Sequence, residues 1–200
     1  MPKKDIEGKK VPVPALKLKY KDVFDIKDFY KALYEWLLEH DWRDVEEGND
    51  HWESYYGERG LPGGSKEIWI WWRVFKPVPD APYLNYYMDI NMHALGIAPT
   101  EVIKDGVKIK AQKGEIEIRI NGLLELLYTS KFKHNVVLRK LQSTFTKRIY
   151  TAQVEREKEL YQELHSFYNF IKQWFKLKRY LPYEESKGFF PSKAWPSHQK

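Results

Sequence analysis

The segment 67–76, EIWIWWRVFK, constrains the fold of this chain most, because it is apolar on both of its alternating faces. Short runs rich in Ile, Val and aromatic residues, bounded by turn signals, are typical of a strand with neighbours on both sides. The segment 77–82 contains three prolines and breaks the pattern. The sequence therefore predicts a sheet in which 67–76 is a central strand, with Ile70 and Trp72 buried.

Alternating apolar and polar residues predict several further antiparallel strands in the same chain. Asp105-Gly106 is a strong signal for the turn of a β-hairpin, and Lys113-Gly114 predicts a second turn. The segment 123–128 is apolar and ambiguous between strand and helix. The predicted strands are 15–20, 51–56, 83–95, 101–104, 107–112 and 115–120.

Two segments have the periodicity of helices. Asp25 is a predicted N-cap, Asp28 suits the first turn, and the helix should end near His40. A helical period returns over residues 133–178. An unbroken helix of about 45 residues would be roughly 67 Å long, whereas a compact domain of this size is about 40–45 Å across. We therefore expect a break or bend at 143–151, where helix propensity is weakest.

These elements predict an α+β fold, in which a curved antiparallel meander of about six strands packs against a long C-terminal helical region. We expect one domain at 15–180, preceded by an extended arm at 1–14 that ends in Val-Pro-Val-Pro. The tail at 181–200 has the composition of a loop. Its three large aromatic residues suggest that it docks onto the domain or onto a partner.

The order of elements resembles the helix-grip (START-like) arrangement, in which a sheet wraps a terminal helix around an apolar cavity. The resemblance lies in topology and covers about residues 15–178. The chain departs from the pattern in having one helix, not two, after the first strand. Its C-terminal helical region is also longer. The resemblance implies a cavity between the sheet and the C-terminal helix.

Charge is strongly segregated along the chain, although the net charge is only +6. Residues 23–64 contain 11 acidic and 4 basic side chains, and residues 131–200 contain 15 basic and 6 acidic ones. The 29 residues of 126–154 contain no Asp or Glu. Such a region favours an anionic partner, although docking of the acidic helix 25–40 against it would cancel much of the field.

We name as candidate anion- or nucleic-acid-binding residues the basic side chains of this stretch, together with two from a second acid-free window at 164–183. Side chains of this type contact phosphates, and interleaved aromatic residues suit single-stranded nucleic acid. No RNA- or DNA-binding motif accompanies them. The candidates are Lys131, Lys133, Arg139, Lys140, Lys147, Arg148, Lys172 and Lys176.

A second set of candidates lies on the predicted strand 83–95. Asn85, Asp89, Asn91 and His93 share its polar face and could line a pocket. None of the six histidines has the spacing of a zinc site, and neither a phosphate-binding loop nor a GxSxG motif is present. We therefore name no catalytic residue, no metal and no cofactor.

Cysteine is absent, which excludes disulfides, thiolate metal sites and a cysteine nucleophile. The first ten residues contain no apolar segment of the kind found in secretory signals, and the chain has no run of 18 apolar residues. We therefore expect a cytoplasmic protein without a transmembrane segment. The oligomeric state stays open.

The sequence favours a non-enzymatic binding or adaptor protein whose basic C-terminal helical region engages an acidic partner, either RNA or protein. One alternative is a small-molecule carrier or enzyme with an apolar cavity between the sheet and the C-terminal helix. Another is peripheral association with an anionic membrane surface. A sizeable apolar pocket with a few polar groups would favour the carrier, whereas a solid core with an exposed basic strip would favour the adaptor.

Overall fold

The computed structural model describes residues 9–45, 52–78, 80–104, 107–129 and 136–176. For 102–104, 107–110 and 136–143 the description covers the backbone alone, and over 144–151 it includes the side chains of Thr144, Lys147 and Tyr150. The elements are β1 (Lys9–Pro12), β2 (Leu16–Phe24), α1 (Ile26–Glu39), β3 (Arg43–Asp44), β4 (Glu53–Gly60), β5 (Lys66–Pro77), β6 (Leu84–Lys104), β7 (Val107–Leu126) and α2 (Val136–Trp174).

The described strands form one antiparallel, seven-stranded sheet, so the α+β prediction with a curved open sheet is confirmed. The long hairpin β6–β7 lies at its centre, and β5 pairs with the outer side of β6. The strands β1 and β2 follow one another along the outer side of β7, and β3 and β4 do the same along β5. The sheet therefore has two edges, each made of two short strands.

Three features of the strands differ from the sequence prediction. One strand, β6, runs unbroken across the predicted strands 83–95 and 101–104. The arm 1–14 contains a folded element, because β1 pairs with residues 123–126 of β7. The predicted turn at Lys113-Gly114 is wrong, because β7 continues through it. At Gly114 a Cβ atom would lie 2.5 Å from the Ile97 side chain, so the glycine permits a close approach to β6. The register of β6 shifts at this level, beside Gly96 with its φ of +64°.

The first helix forms as predicted. The Asp25 carboxylate accepts hydrogen bonds from the backbone N–H groups of Lys27 and Asp28 at 2.8 and 3.1 Å, and His40 caps the other end. This N-cap satisfies donors that have no partner inside the helix. The helix turns one apolar face toward the sheet, and the buried side chains on it are Phe29, Leu33, Trp36 and Leu37.

The second helix spans 39 residues with no break at 143–151, and the alternative of a bend there stays a prediction. The β-branched residues there lower helix propensity by only a few tenths of a kcal/mol each, which is too little to end a helix. The C-terminal part of α2 packs on the sheet through Leu160, Leu164, Phe167 and Ile171, which have no exposed surface. In the N-terminal part, the described side chains of Thr144, Lys147 and Tyr150 are exposed.

One face of the sheet carries the core, and both helices cover that face. Ile70 of β5 pairs with Met92 of β6, which in turn pairs with Ile118 of β7. The next row contains Trp72, which is completely buried. The helix α2 packs tightly on the sheet at Gly122, where a Cβ atom would lie 2.4 Å from the Leu164 side chain.

The central position of β5 is confirmed, but its two faces are not buried alike. Ile70 and Trp72 are buried beneath the helices as predicted, while Trp71 on the opposite face is 39% exposed. The aromatic residues of that open face pack against each other: the rings of Trp71 and Tyr55 are 4.5 Å apart. The apolar side chains on the open face of β5 therefore pack against each other, and no second layer of helices or strands covers them in the described part of the chain.

We expect Trp72→Ala to lower the free energy of unfolding by about 3–5 kcal/mol, because it deletes a large, fully buried ring. Trp71→Ala is the matched control on the open face and should cost about 1 kcal/mol or less. Denaturant melts of both variants measure the difference. Equal losses would show that the two faces are not packed as described.

We expect Gly122→Ala to destabilise the protein by about 1–3 kcal/mol, because its methyl group would overlap Leu164 and Val13 in a packed region. Gly60→Ala serves as the control, since no atom lies within 4 Å of a Cβ built there. Thermal melts compare the two. If Gly122→Ala were as stable as Gly60→Ala, α2 would not sit against β7 at this point.

Candidate functional site

A cavity of about 630 Å³ lies between the N-terminal half of α1 and one end of the sheet. This end is formed by the β4–β5 turn and by the strands β6 and β7 beyond the register shift. The apolar part of the wall comes from α1, β5 and β6, whose side chains there are Ile26, Ile68, Ile70, Ile97 and Pro99.

The inner wall of the cavity is apolar. Ile68, Ile70 and Ile97 are each less than 10% exposed, so they form part of the core as well as of the wall. A smaller cavity of about 10 Å³ shares wall residues with it and reaches Met92 and Ala94 beneath α1. An apolar group that enters the cavity would therefore meet only aliphatic and aromatic side chains at depth.

The polar groups at the mouth on the β4–β5 side satisfy one another. The Glu58 carboxylate forms a salt bridge with the Lys66 ammonium at 2.7 Å and accepts a hydrogen bond from the Tyr56 hydroxyl at 2.8 Å. The hydrogen bond from Lys66, followed by that from Tyr56, lowers the pKa of Glu58 below its ordinary value. Glu58 is therefore ionised and locally neutralised.

Tyr30 links the cavity wall to the core. Its hydroxyl donates to Glu53 Oε1 at 2.5 Å, and its ring meets Trp72 edge-on at 4.8 Å. Burial, followed by the neighbouring Glu53 carboxylate, raises the pKa of Tyr30 well above its ordinary value. The hydroxyl therefore remains a neutral donor and offers no general base.

Two further lysines line the cavity from α1. Lys27 and Lys31 are exposed, and neither forms a salt bridge with any described residue. They are four residues apart, a spacing that places both side chains on the same face of a helix. The mouth of the cavity thus has a basic side on α1 and a neutralised side on β4 and β5.

The polar residues predicted on β6 lie elsewhere. Asn85, Asp89, Asn91 and His93 alternate with the buried residues of β6, so they are on the open face of the sheet, away from both helices. None of these four residues lines the cavity. A role for them in ligand binding stays a prediction.

On the open face these side chains engage their neighbours. Arg73 contacts Asp89 at 3.4 Å and donates to Asn91 at 2.8 Å, and Asn85 donates to Glu125 at 3.3 Å. His93 Nε2 lies 2.9 Å from Glu67. The structure therefore brings the four residues onto one surface, within a network of ion pairs and hydrogen bonds.

The predicted basic residues fall into two separate groups. Arg139, Lys140, Lys147 and Arg148 belong to the N-terminal part of α2, where the Lys147 side chain is exposed; Lys131 and Lys133 lie outside the described residues. At the other end of the helix, the Lys172 ammonium lies 4.4 Å from the centre of the Tyr168 ring, and Lys176 is exposed. Lys147 and Lys172 are about 37 Å apart along the axis, at 1.5 Å per residue.

Sequence reasoning missed the residues around the cavity. The cavity arises from the spacing of elements distant in sequence, which no local motif encodes. One signal was available: Lys27 is in the first turn of a predicted helix, where the positive end of the helix dipole disfavours a cation. A residue that departs from a local preference is often kept for another reason.

Among the described residues, no group of three or more His, Asp or Glu side chains could hold a metal ion. Neither described helix combines the length and apolar character needed to span a membrane. Comparison with protein-family models, curated proteins and solved structures finds no match for this chain. The evidence on function therefore comes from the geometry of the site itself.

We expect Lys66→Gln to raise the pKa of Glu58 toward its ordinary value of 4.5, because the substitution removes the largest cause of its depression. An NMR titration of the Glu58 side-chain carboxyl measures this shift. Lys10→Gln, at an exposed lysine on β1, is the control and should leave the titration unchanged. A Glu58 pKa that did not respond to Lys66→Gln would mean that Lys66 is available to a ligand.

Proposed function

We propose that this protein is a non-enzymatic binding module that holds one small apolar or amphipathic molecule between α1 and the sheet. The observation that carries the proposal is the cavity of about 630 Å³ walled by isoleucines. Its volume falls within the range of roughly 300–1,000 Å³ that is common for ligand pockets. Of the functions considered from the sequence, the proposal corresponds to the carrier.

We propose that the sheet has a helix-grip-like role in which the cavity lies beneath α1 and not beneath the terminal helix. In the arrangement that the sequence resembles, the cavity lies beneath the terminal helix. Here Leu164, Phe167 and Ile171 of α2 are completely buried and fill that space. The cavity lies under α1, so we propose that α1 is the gripping helix of this protein.

Binding without catalysis is favoured by the state of the polar groups at the site. Glu58 is neutralised by Lys66, and Tyr30 is a donor already engaged with Glu53. General acid–base catalysis needs a group with a pKa near the working pH and within reach of a substrate proton. The pKa of Glu58 is shifted downward and that of Tyr30 upward, away from neutrality in both cases.

We expect the uncharged fluorophore N-phenyl-1-naphthylamine to bind saturably, with one molecule per chain. Ile26→Trp should weaken this binding about tenfold or more, because the larger ring occupies space at the cavity wall. The matched control is Leu38→Trp, at an exposed apolar position of the same helix. Fluorescence titration measures both, and circular dichroism verifies the fold. Absence of saturable binding, or equal binding by the two variants, would refute the proposal.

A second candidate function is the engagement of an acidic macromolecule, RNA or protein, by the basic stretch 126–154. The observation that favours it is the exposure of Lys147 and Tyr150 on a stretch without acidic residues. A cation and an aromatic ring one helical turn apart can contact a phosphate and stack on a base. Binding to an acidic protein or to an anionic membrane surface would use the same charges.

For this second function we expect the logarithm of RNA affinity to fall with the logarithm of salt concentration at a slope of about −4, given six phosphate contacts at roughly −0.7 each. Lys140→Glu combined with Lys147→Glu should weaken binding to all sequences alike. Lys172→Glu with Lys176→Glu tests the other end of α2 separately. Filter binding with single-stranded RNA of mixed sequence decides the matter. No retention at micromolar protein would exclude RNA.

A further inference from the structure

We infer that the ligand of the cavity is a single-chain amphiphile with an anionic head group, and that Lys27 and Lys31 bind this head group at the mouth. The inference rests on the proposed function, since it names the chemical class of the molecule in the same cavity. It is carried by the charges around the mouth together with the apolar character of the interior.

The lining of the cavity has an excess of positive charge. It contains three lysines and a single carboxylate, that of Glu58. Lys66 and Glu58 neutralise each other at 2.7 Å, which leaves Lys27 and Lys31 as the unbalanced pair. Two cations with no described acidic partner, beside an apolar cavity, are complementary to one anionic group attached to an apolar body.

The adjacent end of α1 shows which groups would contact the anion. The first N–H groups of the helix are already engaged: that of Ile26 donates to Gln112 Oε1, and those of Lys27 and Asp28 donate to Asp25. The backbone is therefore not available as an anion site. Asp28 is exposed and does not line the cavity. Recognition of a head group thus falls to the lysine side chains.

The geometry also limits the size and shape of the apolar part. A cavity of about 630 Å³ corresponds to roughly twenty water-sized groups at about 30 Å³ each. One alkyl chain of about 12–16 carbons with a small head group fits this volume. Lys27 and Lys31, one turn apart on α1, can reach the same carboxylate or sulfate from one side.

The experiment compares three ligands that share a dodecyl chain: laurate, dodecanol and dodecyltrimethylammonium. Each displaces N-phenyl-1-naphthylamine from the intact protein at pH 8, where the carboxylate is ionised. Laurate should bind about tenfold or more tightly than dodecanol, since one charge-assisted hydrogen bond contributes this much. The quaternary ammonium should bind no better than the alcohol.

The double variant Lys27→Gln with Lys31→Gln should lose the preference for laurate, measured as the ratio of the laurate and dodecanol affinities within that variant. The conservative pair Lys27→Arg with Lys31→Arg should retain the preference. Lys9→Gln with Lys10→Gln, at two exposed lysines of β1, is the matched control and should behave as the parent protein. All four lysines of the two double glutamine variants are exposed, and circular dichroism verifies that each variant folds.

The experiment distinguishes a failure of this inference from a failure of the proposed function. If the fluorophore binds but laurate and dodecanol compete equally, the inference is wrong and the proposed function stands. The same holds if the preference for laurate survives in the double glutamine variant, because another group would then bind the anion. If neither the fluorophore nor any dodecyl ligand binds, the proposed function fails together with the inference.

Discussion

The structure depends on the burial of one face of the sheet. Trp72, Ile90 and Ile120 stand side by side on three neighbouring strands, and none of them has exposed surface. Such a layer is stable only if other elements remove it from water. The helix α2 covers the part over β7, where its Leu164 side chain packs against Gly122, whereas α1 covers the part nearer β5. The cavity lies where the cover provided by α1 stops short of the sheet end.

The elements that the sequence predicted well have signals confined to a few neighbouring residues. The apolar run of β5 and the capping carboxylate of Asp25 are of this kind, and both led to the correct element. The elements missed depend on partners far away in the chain. Strand β1 exists because it pairs with the end of β7, and Gly114 lies within a strand because Ile97 of β6 packs against it. From local sequence alone, the first of these segments was predicted as an extended arm and the second as a turn.

The site was harder to predict than the fold, for a physical reason. Alternation correctly placed Asn91 and His93 on one face of a strand, but it cannot say which face the helices cover. The choice was ambiguous because Trp71 makes the open face of β5 almost as apolar as the covered one. A cavity, moreover, is defined by the space between elements. The single local signal for the cavity was Lys27, a cation in the first turn of a helix. This signal indicates a binding site only in combination with the isoleucines that line the cavity beside it.

The contact between Tyr30 and Trp72 has an optical consequence. Tyr30 lines the cavity, its ring meets Trp72 edge-on, and Trp72 lies 6.2 Å from Trp52 in a second edge-on contact. Both indoles are buried, so their emission reflects the protein interior rather than water. A molecule that displaces the Tyr30 ring would change the surroundings of this pair without touching either indole. Under the proposed function, a ligand that moves the Tyr30 ring would therefore change the emission of Trp72 and Trp52, two of the eight tryptophans of the chain.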